Sequence, residues 1–309
     1  MRVTLGINNC FAVKRWPLPG EWAQVVHEEL GLDLVQHSLD LTDLGGDVDL
    51  DAEAGALRAA CDGAQIRIHS VFTGLVAYSA NLMLAADGAE RRRGFELWSR
   101  AIMLAARLGA VSAGGHVGSL SRRDADDPEQ RARRWSELQI RLADLSGFAS
   151  QLGLEALLVE NMACDREPSR IADMESLLSG GDSDHAPVTL CLDVGHQCVP
   201  GTGGDDADPY AWLRRLGPRT TVVHVQQSDA QADHHWPFTS TYNALGRIRA
   251  DAVLDALAES GTEEATLILE VVPAFEAADA VVLSDLRESV MYWREALSEH
   301  PATSGAGRP

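Results

Sequence analysis

The sequence predicts an α/β fold, a (β/α)₈ barrel, and three observations carry the prediction. Short apolar runs alternate eight times with longer amphipathic stretches along 309 residues, at an average spacing of about 38 residues. Such alternation implies parallel strands joined by crossover helices, and eight units suffice to close a ring. The apolar runs end in carboxylates, imidazoles and amides, and the segment after the first, LGINNCFAVKRW, has no glycine-rich phosphate loop of the kind an open doubly wound sheet uses.

Strands are expected at 3–7, 33–37, 66–72, 110–116, 154–160, 188–193, 220–226 and 265–271. Helices are expected near 20–30, 51–62, 88–109, 129–152, 168–179, 208–216, 250–260 and 276–298. Within 88–109, Phe95, Leu97, Trp98, Ile102, Leu104 and Leu108 recur at helical spacing. The stretch 201–209 (GTGGDDADP) reads as a flexible loop. The segment from 227 to about 247, with its DHHWPF, exceeds an ordinary barrel turn and is a candidate functional loop. Residues 1–298 are expected to form one catalytic barrel domain and 299–309 a flexible C-terminal tail.

Composition narrows the class. A chain of this length buries about three quarters of its unfolded surface, so it needs no disulfides. The five Cys include no CxxC pair and read as reduced thiols of a cytoplasmic protein. The N-terminus lacks a signal-peptide pattern, and no apolar run reaches the ~20 residues of a membrane span. A net charge of −20 repels phosphate backbones, so no nucleic-acid or membrane partner is expected. The basic runs Arg91–Arg93 and Arg131–Arg134 read as solvated helix faces. Lys14 is the only lysine, and it stands beside Arg15 just after the first strand.

Chemistry in a parallel barrel sits at the carboxyl ends of the strands. Strand two ends in Gln36 and His37, strand three reaches His69, and strand four ends at His116. Strand five ends in Glu160-Asn161 and strand six at Asp193, with His196 three residues on. Strand seven carries His224 and Gln226, and strand eight ends at Glu270. So many charges converging on one mouth need a counter-charge. Three carboxylates and one imidazole (Glu160, Asp193, His224 and Glu270) suit one divalent metal ion, Mn²⁺, Mg²⁺ or Co²⁺ before Zn²⁺.

The segments LVEN, LDVGH, VVHVQ and LILEV resemble the sugar phosphate isomerase/epimerase superfamily, the xylose-isomerase-like TIM barrels. The resemblance spans about residues 3 to 295. It implies a carbohydrate isomerase or epimerase in which Glu160, Asp193, His224 and Glu270 hold the metal. Glu160 and Glu270 also match the family's catalytic acid/base pair, and His196 matches its substrate-contacting histidine. The implied chemistry is a metal-stabilised cis-enediolate, with either C3 epimerisation of a ketose or aldose–ketose isomerisation as outcome. The stretch after His224 has no Arg such as the ketohexose epimerases carry, which counts against a free hexulose. IHSVFTGLVAYSANLM, DHHWPFT and CFAVKRWP are similar to a narrower group, the tetrulose-phosphate epimerases of erythritol catabolism.

The partner expected is thus a small ketose or ketose phosphate, with a homo-oligomer left open. A phosphate needs cations or donors, for which Lys14 or Arg15 with His234 or His235 are candidates. His69 is a candidate to orient substrate or add a ligand, and His116 and Gln226 are further candidate substrate contacts. A rival class shares the superfamily. Type IV AP endonucleases, which carry three zinc ions, use a ligand order that His69, His116, Glu160, Asp193, His196, His224, Asp233, His235 and Glu270 also follow.

Overall fold

The structure, a computed structural model, describes residues 1–44, 48–179 and 184–303. Eight parallel strands close into one barrel in chain order: β1 Arg2–Asn8, β2 Leu34–Ser38, β3 Arg67–Phe72, β4 Ser112–Gly115, β5 Ala156–Glu160, β6 Val188–Asp193, β7 Thr220–Val225 and β8 Glu264–Leu269. β8 returns to pair with β1 from Arg2↔Glu264 to Ile7↔Leu269, which leaves no sheet edge.

The outer ring comprises α1 Pro19–Gln24, α2 Leu50–Gly63, α3 Gly88–Leu108, α4 Arg122–Asp126, α5 Pro128–Gln151, α6 Ile171–Leu178, α7 Pro209–Leu216, α8 Ser240–Leu245, α9 Ala250–Glu259 and α10 Asp279–Glu299. Local chemistry starts these helices where the chain needs them. Asp49, Asp87, Asp127 and Asp208 accept first-turn backbone N–H groups of α2, α3, α5 and α7. Proline opens α1, α5 and α7, where its missing N–H costs no helical bond.

Two apolar layers result. The larger lies between strands and helices, with Trp22, Trp98, Trp212 and Trp293 fully buried in it. The smaller, Phe72, Leu158, Cys191, Val222 and Ile268, plugs the barrel's interior. Side chains two residues apart on a strand share a face. Glu160, Asp193, His224 and Glu270 each follow a plug residue by two positions, so the fold lifts all four onto the apolar floor that the plug makes.

Several expectations change in detail. The 201–209 stretch is pinned: Gly204–Ala207 form a 3-10 turn, and Asp206 accepts from the Ile171 N–H at 2.9 Å. The long segment after β7 contains α8. Arg134 is not on a solvated face, since it is buried against Asp124 at 3.3 Å and Glu137 at 2.8 Å. Of the C-terminal tail, residues 304–309 lie outside the described residues, whereas the Met1 amine donates to the Ala302 carbonyl at 3.0 Å. Among the described residues no helix is long and apolar enough to cross a membrane.

Candidate metal centre and active site

Donor atoms of Glu160, Asp193, His224 and Glu270 lie within 4.8 Å of one another, all four residues buried. His224 Nδ1 is 2.9 Å from Glu270 Oε2 and 3.4 Å from Glu160 Oε1, yet none of the three atoms makes a geometrically sound hydrogen bond. They converge on a shared point without satisfying one another. Buried polar atoms left so are costly, and a cation at that point would satisfy them. The residues therefore fit a divalent ion.

The surrounding bonds aim these atoms. Gln36 Oε1 faces His224 Nε2 at 2.6 Å and accepts from Asn8 Nδ2 at 2.9 Å, while Gln36 Nε2 donates to Ser70 Oγ at 3.0 Å. An amide oxygen can only accept, so His224 carries a proton on Nε2, which leaves Nδ1 as the ring atom that faces the cage. Asn8 Nδ2 also donates to Glu270 Oε1 at 3.1 Å, and the Tyr78 hydroxyl donates to Glu160 Oε2 at 2.7 Å. Each glutamate thus has one oxygen held by a neutral donor and the other facing the cage. The Asn161 amide grips the Asp193 backbone, accepting from its N–H at 2.7 Å and donating to its carbonyl at 3.0 Å. Replacing Gln36 by Leu is expected to weaken divalent-cation affinity by about 10–100-fold, read by titration calorimetry. Unchanged affinity would refute the role given to Gln36.

A second polar group forms the adjoining wall. His196 Nδ1 meets the Asn161 carbonyl at 2.7 Å, and its Nε2 lies 3.3 Å from Asp233 Oδ2 and 3.8 Å from Asp193 Oδ2. His235 Nε2 lies 3.1 Å from Asp233 Oδ1. Burial opposes a charge on His196, but the Asp193 and Asp233 carboxylates outweigh it and hold its imidazolium well above the usual histidine range. Gln226 Nε2 donates to Asp233 at 2.7 Å and to Asp193 Oδ1 at 3.2 Å, and its Oε1 accepts from the His235 N–H at 2.6 Å. A Cβ on Gly195 would come within 2.4 Å of the Gln226 amide carbon, so only glycine leaves room for this bridge.

Of the residues singled out by sequence, the fold brings together Glu160, Asp193, His224, Glu270, His196, His235 and Gln226. His116 lines the same space, its ring stacked on Tyr78 at 5.1 Å, and burial lowers its pKa to about 4. His69 does not join them. A β-bulge shifts the register between Val35↔Ile68 and Gln36↔Ser70, so His69 is the extra residue. It lines a cavity of about 330 Å³ with Thr4, Thr220 and Thr266 at the amino end of the strands, opposite the mouth. Arg15 is no free cation either. Its guanidinium donates to the carbonyls of Ala274 at 2.6 Å and Ala277 at 2.7 Å and pairs with Asp279, clamping the loop after β8. His234 stacks on Trp236 at 3.8 Å beside a separate apolar cavity. Lys14 has its ammonium 4.0 Å from the centre of the Phe275 ring, between the loops after β1 and β8.

Reading the sequence alone missed Asn8, Tyr78 and Glu167. Asn8 ends β1, where the strand-end rule that found the others applies equally. Glu167 is buried on the segment between β5 and α6, and burial lifts its pKa to about 7, against the opposing pull of His196 and Arg166. Its position seven residues past Glu160 gave no signal.

The family described as xylose isomerase-like TIM barrel matches residues 26–286. A curated relative, D-erythrulose 1-phosphate 3-epimerase of Brucella abortus (strain 2308), is 32% identical over 193 residues. That match covers 60% of this chain and 61% of the relative, so the chain aligns with about three fifths of the relative's length. A crystal structure from Rhodospirillum rubrum ATCC 11170, provisionally named a xylose isomerase, superposes with a TM-score of 0.86 at 33% identity, covering 95% of this chain and 99% of that one. D-psicose 3-epimerase of Clostridium cellulolyticum H10 shares the fold at 14% identity, with a TM-score of 0.70 over 95% and 99% of the two chains.

Proposed function

The chain belongs to the xylose isomerase-like TIM-barrel family, and from that premise we propose that it is a divalent-metal-dependent epimerase of a short ketose or ketose phosphate. The best-supported reaction is C3 epimerisation of a tetrulose phosphate. The observation that carries this reading is the pair Glu160 and Glu270, each with one oxygen held by a neutral donor and the other directed at the cage shared with Asp193 and His224. The Brucella relative named for the same reaction supports the substrate class.

The proton on C3 of a ketose is weakly acidic because it neighbours the C2 carbonyl. A divalent cation held by Glu160, Asp193, His224 and Glu270 would supply positive charge where negative charge grows on the carbonyl oxygen as that proton leaves. Glu160 and Glu270 rise from β5 and β8 with His224 of β7 between them, so they can address the substrate from different sides. One takes the C3 proton as a carboxylate and the other, as an acid, returns a proton to the opposite face; the roles exchange in reverse. The plug of Phe72, Leu158, Cys191, Val222 and Ile268 keeps water from below. His196, His235 and Gln226 offer polar atoms to the substrate hydroxyls. Product analysis tests the outcome: a C3 epimer supports the reading, and an aldose would make the protein an isomerase on the same site.

With Arg15 committed to the loop after β8, Lys14 is the remaining member of the Lys-Arg pair for a phosphate. Lys14→Ala is expected to raise KM for a ketose phosphate about 10-fold with kcat little changed, as loss of a charge-assisted hydrogen bond would. An unchanged KM in steady-state assays would remove Lys14 from the phosphate's path.

One observation favours a second reading, a phosphoesterase with several ions: Asp193, His196 and His235 form a second group with donor atoms within 4.8 Å. The three-ion series also needs His69, which opens to the other end of the barrel, and His116, which joins neither group. Metal content decides between them, one ion per chain for the epimerase and three for the phosphoesterase.

A further inference from the structure

Tyr78 lies in the segment IHSVFTGLVAYSANLM and belongs to neither the candidate metal ligands nor the acid/base pair. It is carried by a 3-10 turn, Leu75–Ser79, on the loop that leaves β3. The root of that loop is fixed. Gly74 has φ 74, and a Cβ there would meet Ser38 Oγ at 2.5 Å and Asp40 Oδ2 at 2.6 Å. Asp40 accepts the N–H groups of Leu75 at 2.7 Å and Val76 at 2.8 Å, and the Ser38 hydroxyl at 2.8 Å. The tip is outward, with Val76 72% exposed. Between them Tyr78 turns inward. Its ring lies parallel to His116, at an interplanar angle of 2°, and edge-on to His196 at 6.3 Å. Its hydroxyl reaches Glu160 Oε2 at 2.7 Å.

We propose that Tyr78 is a positioning residue for Glu160, holding one carboxylate oxygen so that the other addresses the cage and the substrate in a single orientation. This rests on the epimerase reading above. The terminal torsion of a glutamate is broad and nearly two-fold, so packing of the stem alone does not fix the carboxylate plane. Glu270 receives the equivalent bond from Asn8, an amide locked by β1 and by the Cys10 N–H at 2.9 Å. The two donors are therefore unequal in kind. One belongs to the barrel, the other to a loop, and only Glu160 depends on the loop. Without the phenol, the Glu160 carboxylate is free to rotate and offer both oxygens to the cage, out of line with the C3 proton.

The test is Tyr78→Phe, which keeps the ring stack and removes the donor, assayed with the two C3 epimers of erythrulose 1-phosphate. These are mirror images with an equilibrium constant of one, so kcat/KM falls together in both directions, by about 10- to 100-fold for a lost hydrogen bond to a charged group. The C3-deuterium isotope effect, however, should grow for the epimer that gives its proton to Glu160 and shrink for the other, because only the Glu160 step has slowed. Cation affinity by calorimetry should be undiminished. Wild-type rates in the variant, equal change of both isotope effects, or a cation affinity weakened more than about 10-fold would each overturn the inference, the last two marking Tyr78 as merely structural. If wild-type protein exchanges neither epimer, the epimerase reading itself fails and the inference falls with it.

Discussion

Glu270→Gln is expected to slow C3 proton exchange by about 10²- to 10⁴-fold, and Glu160→Gln to do the same, because each removes one member of the acid/base pair. The substitution is nearly isosteric, so the barrel should persist. What changes is the chemistry of one atom. In the native cage Glu270 Oε2 lies 2.9 Å from His224 Nδ1 and 3.6 Å from His235 Nδ1. An amide there is no base and offers a cation no negative charge. The Asn8 N–H that Glu270 Oε1 accepts keeps its partner only if the amide oxygen is turned that way, which leaves the NH₂ group facing the cage. Cation affinity should therefore fall along with the rate. The double variant should be barely slower than either single one, since residues acting as a unit are not additive. Exchange rates at saturating metal separate the two effects. A variant as fast as wild type under those conditions would remove Glu270 from the chemistry.

Chelation of the bound cation should abolish exchange and lower the melting temperature by about 4 °C. Three buried carboxylates share the cage with one imidazole, and like charges at this distance disfavour the compact state unless something positive lies between them. A ligand that binds only the folded state at about 100 times its Kd contributes about 2.7 kcal/mol, which for a domain of this size corresponds to that shift. Scanning calorimetry with and without chelator measures it, and Asp193→Asn should show the same melting point in both. Re-addition of Mn²⁺ or Co²⁺ should restore both stability and exchange. A melting point indifferent to chelator would mean that the four residues do not bind an ion.

The barrel was legible because strand and helix periods differ and because parallel strands are apolar to their tips. The cage was legible for a related reason. A charged residue that ends an apolar strand has nowhere to go but the mouth, and Leu158, Cys191, Val222 and Ile268 each precede a cage residue by two positions. The same rule failed at His69 because it stands three residues short of the carboxyl end of β3, and the one-residue bulge against β2 that sets its face leaves no mark in hydrophobic alternation. It could not weigh Arg15 either. Two of the three groups that occupy its guanidinium are backbone carbonyls some 260 residues away, and carbonyl positions are invisible in side-chain patterns. Tyr78 was hidden for a third reason. It reaches Glu160 from a loop, and its reach depends on the turn at Gly74 and the grip of Asp40, neither of which has a periodic signature.

The measurement that bears most directly on the whole account is proton exchange at C3. Metal-loaded protein is incubated in D₂O with a panel of tetrulose and pentulose phosphates, and the C3 proton signal is followed by NMR. The account predicts loss of that signal with at least one ketose phosphate, accompanied by appearance of its C3 epimer and abolished by chelator. No exchange with any member of the panel, together with hydrolysis of an abasic-site DNA by the same preparation, would contradict it.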